Sequence, residues 1–200
     1  PYVEDPRFRT IFALHAAMIA DLGDHKDEAA RLYRLTEVSL GAPNLRMAQI
    51  LASWAARTRQ PGEAQRILAA LPTVAPDLSI VMPALMAGVT KRPVANASDG
   101  IAEAYFTFAA LLQAQDANDF SLVMLRLALD LRPDFAAARL LAADILENQH
   151  HSRRSGNWRK QGPATDPLIA AVRLRRVALV DRLGRGDEAL HELERMAQDY

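Results

Sequence analysis

The chain contains no cysteine among its 200 residues. This absence excludes disulfides, zinc sites with thiolate ligands and cysteine nucleophiles. No apolar run approaches the length of about 18 residues that a membrane-spanning helix needs, so the sequence predicts no transmembrane segment. Basic and acidic residues balance at 24 each, whereas a general nucleic-acid-binding protein usually carries a basic excess. The composition therefore argues against nucleic acid as a partner.

Catalytic signatures are missing as well. The sequence holds no GxSxG, Walker loop, GxGxxG or HExxH pattern, and His15, His25 and His191 stand alone. His150 and His151 are adjacent, but neighbouring residues on a helix point apart and no third ligand is evident. We therefore expect no enzyme activity, no cofactor and no metal site.

Aromatic residues are few, at 6%, while half of the chain is hydrophobic and consists mostly of alanine and leucine. The β-branched residues are not gathered into runs. This composition favours α-helix over strand throughout the chain.

One helical hairpin pattern recurs along the chain. Three alanines, each directly after a glutamate and a short turn, occupy the same place in three similar segments. They are Ala29 in 23–35, Ala64 in 59–71 and Ala189 in 184–196. Ala29 and Ala64 are 35 residues apart, and Ser121 precedes Ala189 by 68, or two periods of 34. A period of about 34 residues predicts stacked helix pairs, in which neighbouring units bury each other's apolar faces.

The repeats divide the chain into six units without a domain boundary. The third and fifth are incomplete, because Lys91–Gly100 resembles a loop and Ser155-Gly156-Asn157 are poor helix formers. We expect the loop to end at a helix N-cap at Ser98 or Asp99. Large residues one turn after the small ones should fill the gap to the next hairpin: Tyr33, Leu68, Leu125 and Leu193. The predicted units are about 6–43, 44–77, 78–100 (truncated), 101–134, 135–166 (degenerate) and 167–200.

The fourth unit resembles the tetratricopeptide repeat most clearly, through Tyr105, Phe108, Ala109, Leu125, Ala128, Leu129 and Pro133. Ser121 and Thr36 depart from it, since the family prefers alanine at both places. The segment 126–147 is also similar to alphaproteobacterial repeat proteins that are commonly predicted to be exported. The resemblance implies an all-α fold, a right-handed α-solenoid of antiparallel helix hairpins forming a superhelix.

In this family the first helices of the hairpins line a concave groove that binds peptides or proteins. The corresponding positions here are Ile11, Leu14, Met18, Arg46, Gln49, Ser53, Glu103, Phe106, Leu140, Asp144 and Glu147. Residues that some family members use to clamp a peptide carboxylate are absent, since Met18, Ser53 and Asp144 stand where asparagine would be expected. The resemblance therefore implies an apolar groove with scattered acidic residues.

A second candidate surface is the basic segment 150–160, which includes Trp158. Arg153, Arg154, Arg159 and Lys160 could contact an anionic partner such as phosphate or lipid headgroups. The alternative is a degenerate second helix whose charges face water and whose tryptophan packs on its neighbours.

These observations predict a non-catalytic scaffold for a protein or peptide partner. The alternatives are an accessory domain that presents substrate to a larger enzyme, or an anion-binding adaptor acting through segment 150–160. The chain begins without methionine, so we expect a piece of a longer bacterial protein, able to dimerise by stacking of its end units. Absence of cysteine and the family similarity favour export over a cytoplasmic location, without deciding the compartment.

Overall fold

The computed structural model of the chain describes residues 6–38, 45–58, 60–71, 82–148, 169–182 and 184–199. Every regular element in these ranges is an α-helix, and none of the described residues forms a strand. The all-α class predicted from the composition is therefore confirmed. The helices are α1 (Pro6–Leu22), α2 (Lys26–Val38), α3 (Leu45–Arg57), α4 (Pro61–Ala69), α5 (Met82–Ala87), α6 (Ala97–Gln113), α7 (Asn118–Leu131), α8 (Ala136–Asn148), α9 (Ile169–Arg182) and α10 (Gly186–Asp199).

Consecutive helices pack in pairs: α1 with α2, α3 with α4, α6 with α7, and α9 with α10. Tight turns join several of them, and Asp24 and Asp116 adopt positive φ at the turns after α1 and α6. Aspartate tolerates this left-handed conformation better than most residues other than glycine. Helix α8 then packs against α7 and α9, which connects the fourth hairpin to the last one.

The repeated small residues lie where paired helices touch. Ala29, Ala64, Ser121 and Ala189 are all buried. At Ser121 the departure from alanine is accommodated because its hydroxyl donates to the carbonyl oxygen of Ala109 on the facing helix at 2.8 Å. Thr36 likewise donates within its own helix, to the carbonyl oxygen of Leu32. Both hydroxyls can therefore be buried at little cost.

The large residues of the repeat differ in their burial. Tyr33, Leu68 and Leu125 are buried as expected, but the expectation for Leu193 is wrong, since this side chain is 40% exposed. The main contact of α10 within the described chain is with α9. Hairpin α9–α10 instead closes over a small core of its own, formed by Val177, Val180, Ala189 and Met196.

The start of α6 corrects another expectation. Its N-cap is Asn96, not Ser98 or Asp99, and the Asn96 side chain accepts a hydrogen bond from the Asp99 amide at 2.9 Å. The Asp99 carboxylate in turn accepts from the Ala95 amide. Asp99 is thus the third residue of the helix, and its carboxylate binds the backbone amide that precedes the N-cap, much as in a capping box.

The first helices of three hairpins converge. Apolar residues of α1, α2 and α3 form one buried cluster, and α3 to α8 contribute to a second and larger one. Helix α1 also contacts α6 directly, although two predicted units separate them in sequence. We call the meeting place of α1, α3 and α6 the three-helix junction.

Candidate functional site

Six of the eleven predicted groove residues meet at the three-helix junction. Ile11, Leu14 and Met18 of α1 lie opposite Glu103 and Phe106 of α6, with Arg46 of α3 between them, around a cavity of about 170 Å³. A cavity of roughly 150 Å³ can hold a molecule the size of benzene. The cavity between these helices therefore has room for a group of about that size.

Burial separates the predicted groove residues into two sets. Those buried in the structure are Leu14, Met18, Ser53, Glu103 and Leu140. Those half-buried are Ile11, Arg46, Gln49, Phe106 and Asp144. Glu147 lies in α8, but its side chain is outside the described part of the structure. The binding role of all these residues stays a prediction, and the buried set can contribute to it only through internal packing.

A buried carboxylate holds two arginines at the centre of the junction. Glu103 is 1% exposed. Arg46 donates to it through Nη2 and, at 3.0 Å, through Nε, while Arg132 donates to it through Nη1 at 3.2 Å. Both arginines also donate to the carbonyl oxygen of Pro93, at 3.3 and 3.0 Å. This network ties α3, α6, the end of α7 and the 88–95 loop together.

An aromatic ring completes the cluster. The Phe135 ring lies 5.1 Å from the Arg46 guanidinium carbon and 4.8 Å from that of Arg132. Its other neighbour is Phe106, with ring centroids 5.2 Å apart. Cation–π contacts of desolvated guanidinium groups stabilise such an arrangement. The cluster is therefore a built, rigid element of the interior rather than a set of separate surface charges.

The sequence prediction found Arg46, Glu103 and Phe106 but missed Pro93, Arg132 and Phe135. Glu103 carried a signal, because it is the only charged residue between Ile101 and Gln113. Arg132 and Pro93 lie just outside helices, where periodicity gives no information. Their meeting depends on how three hairpins fold back on one another.

A second cavity, of about 160 Å³, lies beside this cluster, between α3 and the 88–95 loop. Its polar wall carries Arg46, Gln49, Ser53, Lys91, Arg92 and Arg132, and its apolar wall includes Leu68, Leu85, Val89 and Phe135. Ser53 is buried and donates to the carbonyl oxygen of Lys91 at 2.7 Å. We call this space the arginine cavity.

Two aspartates of the first hairpin anchor the loop that closes the arginine cavity. Arg57 donates to Asp21 through both terminal nitrogens, and Arg92 binds Asp24 and lies 3.5 Å from Asp21. Asp21 is buried between these arginines. The pKa of Asp24 is lowered, chiefly by its hydrogen bond to Arg92. The loop is thus attached to α1, α3 and α6 at the same time.

A histidine links α1 to α6 near the first cavity. His15 Nε2 lies 3.0 Å from the Thr107 hydroxyl oxygen, and that hydroxyl donates to the carbonyl oxygen of Glu103. The hydroxyl hydrogen is already used, so Nε2 must be the donor to Thr107. Burial lowers the pKa of His15, with the charge of Glu103 opposing the shift. At neutral pH the imidazole is therefore uncharged.

Exposed apolar residues lie together on one side of the α6–α7 hairpin. Ile101 and Phe108 each precede a buried alanine of α6 by one position, and Phe120 and Leu127 each precede a buried residue of α7. When two antiparallel helices pack together, the residue just before an inward-facing residue points to the same side of the pair in both helices. We call this surface the outer face: Ile101, Phe108, Phe120, Val123, Leu127 and Leu131, each 38–69% exposed.

The described residues do not form a metal site or a membrane-spanning helix, and they do not include the predicted anion contacts. In the ranges that the structure covers, no group of three histidine, aspartate or glutamate side chains is placed to hold a metal ion. No helix among them has the length and apolarity needed to cross a bilayer. The predicted anion contacts Arg153, Arg154, Arg159 and Lys160 lie outside the described residues, as does the rest of segment 150–160.

Comparison with known proteins adds no assignment. No family model, no curated protein and no solved structure matches the chain.

Proposed function

We propose that this chain is a non-catalytic protein-binding module, a right-handed solenoid of tetratricopeptide-like hairpins. The surface best suited to the partner is the outer face of α6–α7. The observation that carries the proposal is the exposure of six large apolar side chains on one side of a single hairpin. Contiguous apolar patches on a soluble protein typically mark interaction sites.

The opposite side of the same hairpin supports this choice of surface. There α6 and α7 pack against α8, and Leu122 and Leu129 join the main core. The hairpin therefore has two apolar sides and uses one of them internally. Apolar residues spaced three or four apart on the outer face, as at Phe120, Val123 and Leu127, suit the ridges of another helix.

The charges around the outer face indicate what kind of helix would bind. Asp116 and Asp119 are exposed beside Phe120 at the α6–α7 turn, and within the structure described here neither carboxylate has an ion-pair partner. Asp130 is paired with Arg126 further along α7. We therefore propose an amphipathic helix of a partner protein, with apolar residues on one side and lysine or arginine at the end that meets the α6–α7 turn.

The predicted concave groove takes a different part in this proposal. Some of its residues on α1 and α6 support the hairpin from within, because Leu14, Met18 and Glu103 are buried. The accessory-domain alternative stays a prediction, and the basic-segment alternative gains no support, since segment 150–160 lies outside the described residues.

A peptide selection tests the proposal. A displayed library of helical peptides is selected on the whole chain, and the peptides are then measured by fluorescence anisotropy against a Phe108→Gln/Phe120→Gln variant. We expect selected peptides to share apolar residues at helical spacing and a basic end, and to bind the variant at least about tenfold more weakly. Loss of buried apolar contact of this size is worth more than the 1.4 kcal/mol that tenfold represents.

A matched control removes exposed apolar residues elsewhere. Leu35 and Leu190 are 47% and 57% exposed, away from the outer face. The Leu35→Gln/Leu190→Gln variant should retain full affinity. Peptides that lose affinity equally for both variants, or for neither, contradict the assignment of the outer face. Helix content of each variant, checked by circular dichroism, ensures that unfolding is not the cause.

A further inference from the structure

Two of the arginines that line the arginine cavity share a single buried carboxylate. Arg46 and Arg132 have side chains only 12% and 19% exposed, and Glu103 is the one buried carboxylate that both contact. Asp134 lies 3.5 Å from Arg132 but is itself 60% exposed. Lys91 adds a further cation at the rim, and Arg92 is engaged by Asp21 and Asp24. Two half-buried arginines that share one buried carboxylate would be stabilised by a second anion.

Hydrogen-bond donors remain for such an anion. Of the five N–H groups of Arg132, Nη1 supplies Pro93 and Glu103, while Nη2 has no acceptor among the described residues. Gln49 accepts from Arg46 through its amide oxygen, and its amide nitrogen has no acceptor in the same part of the chain. Both residues line the cavity. A planar carboxylate matches a guanidinium and an amide as paired donors.

The remaining wall of the cavity is apolar. Leu68, Leu85 and Val89 belong to the apolar part of its lining. An inorganic oxyanion would leave this side uncovered, whereas a short hydrocarbon chain would fill it. The volume of about 160 Å³ corresponds to a group no larger than a branched four- or five-carbon acid.

We propose that the arginine cavity binds a small organic carboxylate, with its charged group toward Arg132 and Gln49 and its hydrocarbon body against Leu85 and Val89. The site is separate from the outer face, so it stands whether or not the proposed partner helix binds there. Occupation would also stabilise the packing of α3, the 88–95 loop and the start of α8, because residues of all three line the cavity.

Titration calorimetry on the whole chain tests this site with three probes: 3-methylbutanoate, its neutral amide, and inorganic phosphate. We expect saturable binding of 3-methylbutanoate and at least about tenfold weaker binding of the amide, because charge-assisted hydrogen bonds are lost. Phosphate should also bind at least about tenfold more weakly, because it leaves the apolar wall uncovered. Equal binding of the carboxylate and the amide overturns the proposal, as does tighter binding of phosphate or no binding of any probe.

Variants locate the binding. Arg132→Gln should weaken 3-methylbutanoate binding at least about tenfold, while Arg126→Gln, at an exposed arginine of α7, should leave it unchanged. Because Arg132 also supports Glu103, the variant could lose its fold. Val89→Phe then serves in its place, since a larger half-buried side chain fills the cavity and should abolish binding while both arginines remain. Undiminished binding by a folded Arg132→Gln or Val89→Phe protein contradicts the proposed position.

Discussion

The two sides of the α6–α7 hairpin differ: one packs in the interior of the protein and the other is exposed on its surface. On the inner side, Glu103 and Phe106 are fixed by Arg46, Arg132 and Phe135, with directional contacts from several elements. On the outer side, Phe108 and Phe120 contribute apolar surface without polar contacts of this kind. Both sides show the same helical spacing of apolar residues in the sequence. What distinguishes the inner side is a buried charge with its partners.

The largest effect should come from removing that buried charge. Glu103→Ala leaves Arg46 and Arg132 close together without a carboxylate between them. We expect a loss of about 3–5 kcal/mol in the free energy of unfolding, the range for breaking one side of a buried ion pair. Urea unfolding followed by circular dichroism measures it.

An exposed ion pair provides the control for this change. Asp130→Ala removes a carboxylate that is paired with Arg126 on the surface of α7. It should alter stability by less than about 0.5 kcal/mol, because exposed pairs contribute little. Equal losses for the two variants would show that the Glu103 cluster does not hold the inner side together.

Two phenylalanines two positions apart sharpen the comparison. Phe106 is half-buried against Phe135, whereas Phe108 is 58% exposed. Phe106→Ala should cost about 2–3 kcal/mol of stability, somewhat less than a fully buried phenylalanine. Phe108→Ala should cost less than about 0.5 kcal/mol. Urea unfolding of both proteins tests the difference, and a larger loss at Phe108 would reverse the assignment of the two sides.

Two adjacent alanines, Ala109 and Ala110, allow a packed position to be compared with a position that lines a cavity. Ala109 is fully buried between α6 and α7, so Ala109→Leu should destabilise the protein by about 1–3 kcal/mol through overpacking. Ala110 lines the cavity of the three-helix junction, which has room for extra methyl groups. Ala110→Leu should therefore change the unfolding midpoint temperature little. A larger loss for Ala110→Leu would mean that this cavity is not available.

The smallest effect concerns pH. Burial lowers the pKa of His15, so the folded protein takes up a proton at lower pH than the unfolded chain, whose histidine titrates near 6.5. The stability that neutral His15 provides is full above pH 6.5 and decreases as pH falls below it. His15→Gln keeps a donor for Thr107 without titrating, and should lose less stability than the unchanged chain between pH 7 and pH 5.

Urea unfolding at several pH values measures this difference. His191, which is exposed, provides the control, and His191→Gln should follow the unchanged chain at every pH. If His15→Gln also follows it, the α1–α6 contact does not depend on the charge of His15.

Periodicity predicted local structure well because each helix is set by residues within a few turns. The all-α class follows from composition, and the buried small residues at Ala29, Ala64 and Ala189 follow from spacing. The N-cap at Asn96 was misplaced by two or three residues, since several cap-forming side chains occur in succession and their reciprocal bonds decide between them. The three-helix junction was not predicted at all. It depends on contacts between residues far apart in sequence, such as Arg46 with Glu103, and repeat spacing does not encode them.

Site-specific photo-crosslinking tests the central claim most directly. Photo-reactive benzoylphenylalanine is placed at Phe120 on the outer face, or at exposed Leu190 on α10, in the full chain expressed in its own cells. If the outer face binds a partner helix, position 120 should give a discrete adduct that position 190 lacks. The crosslinked partner segment should carry apolar residues at helical spacing and basic residues at one end. No adduct at position 120, or the same adducts at both positions, would contradict the proposal that the outer face of α6–α7 is the partner-binding surface.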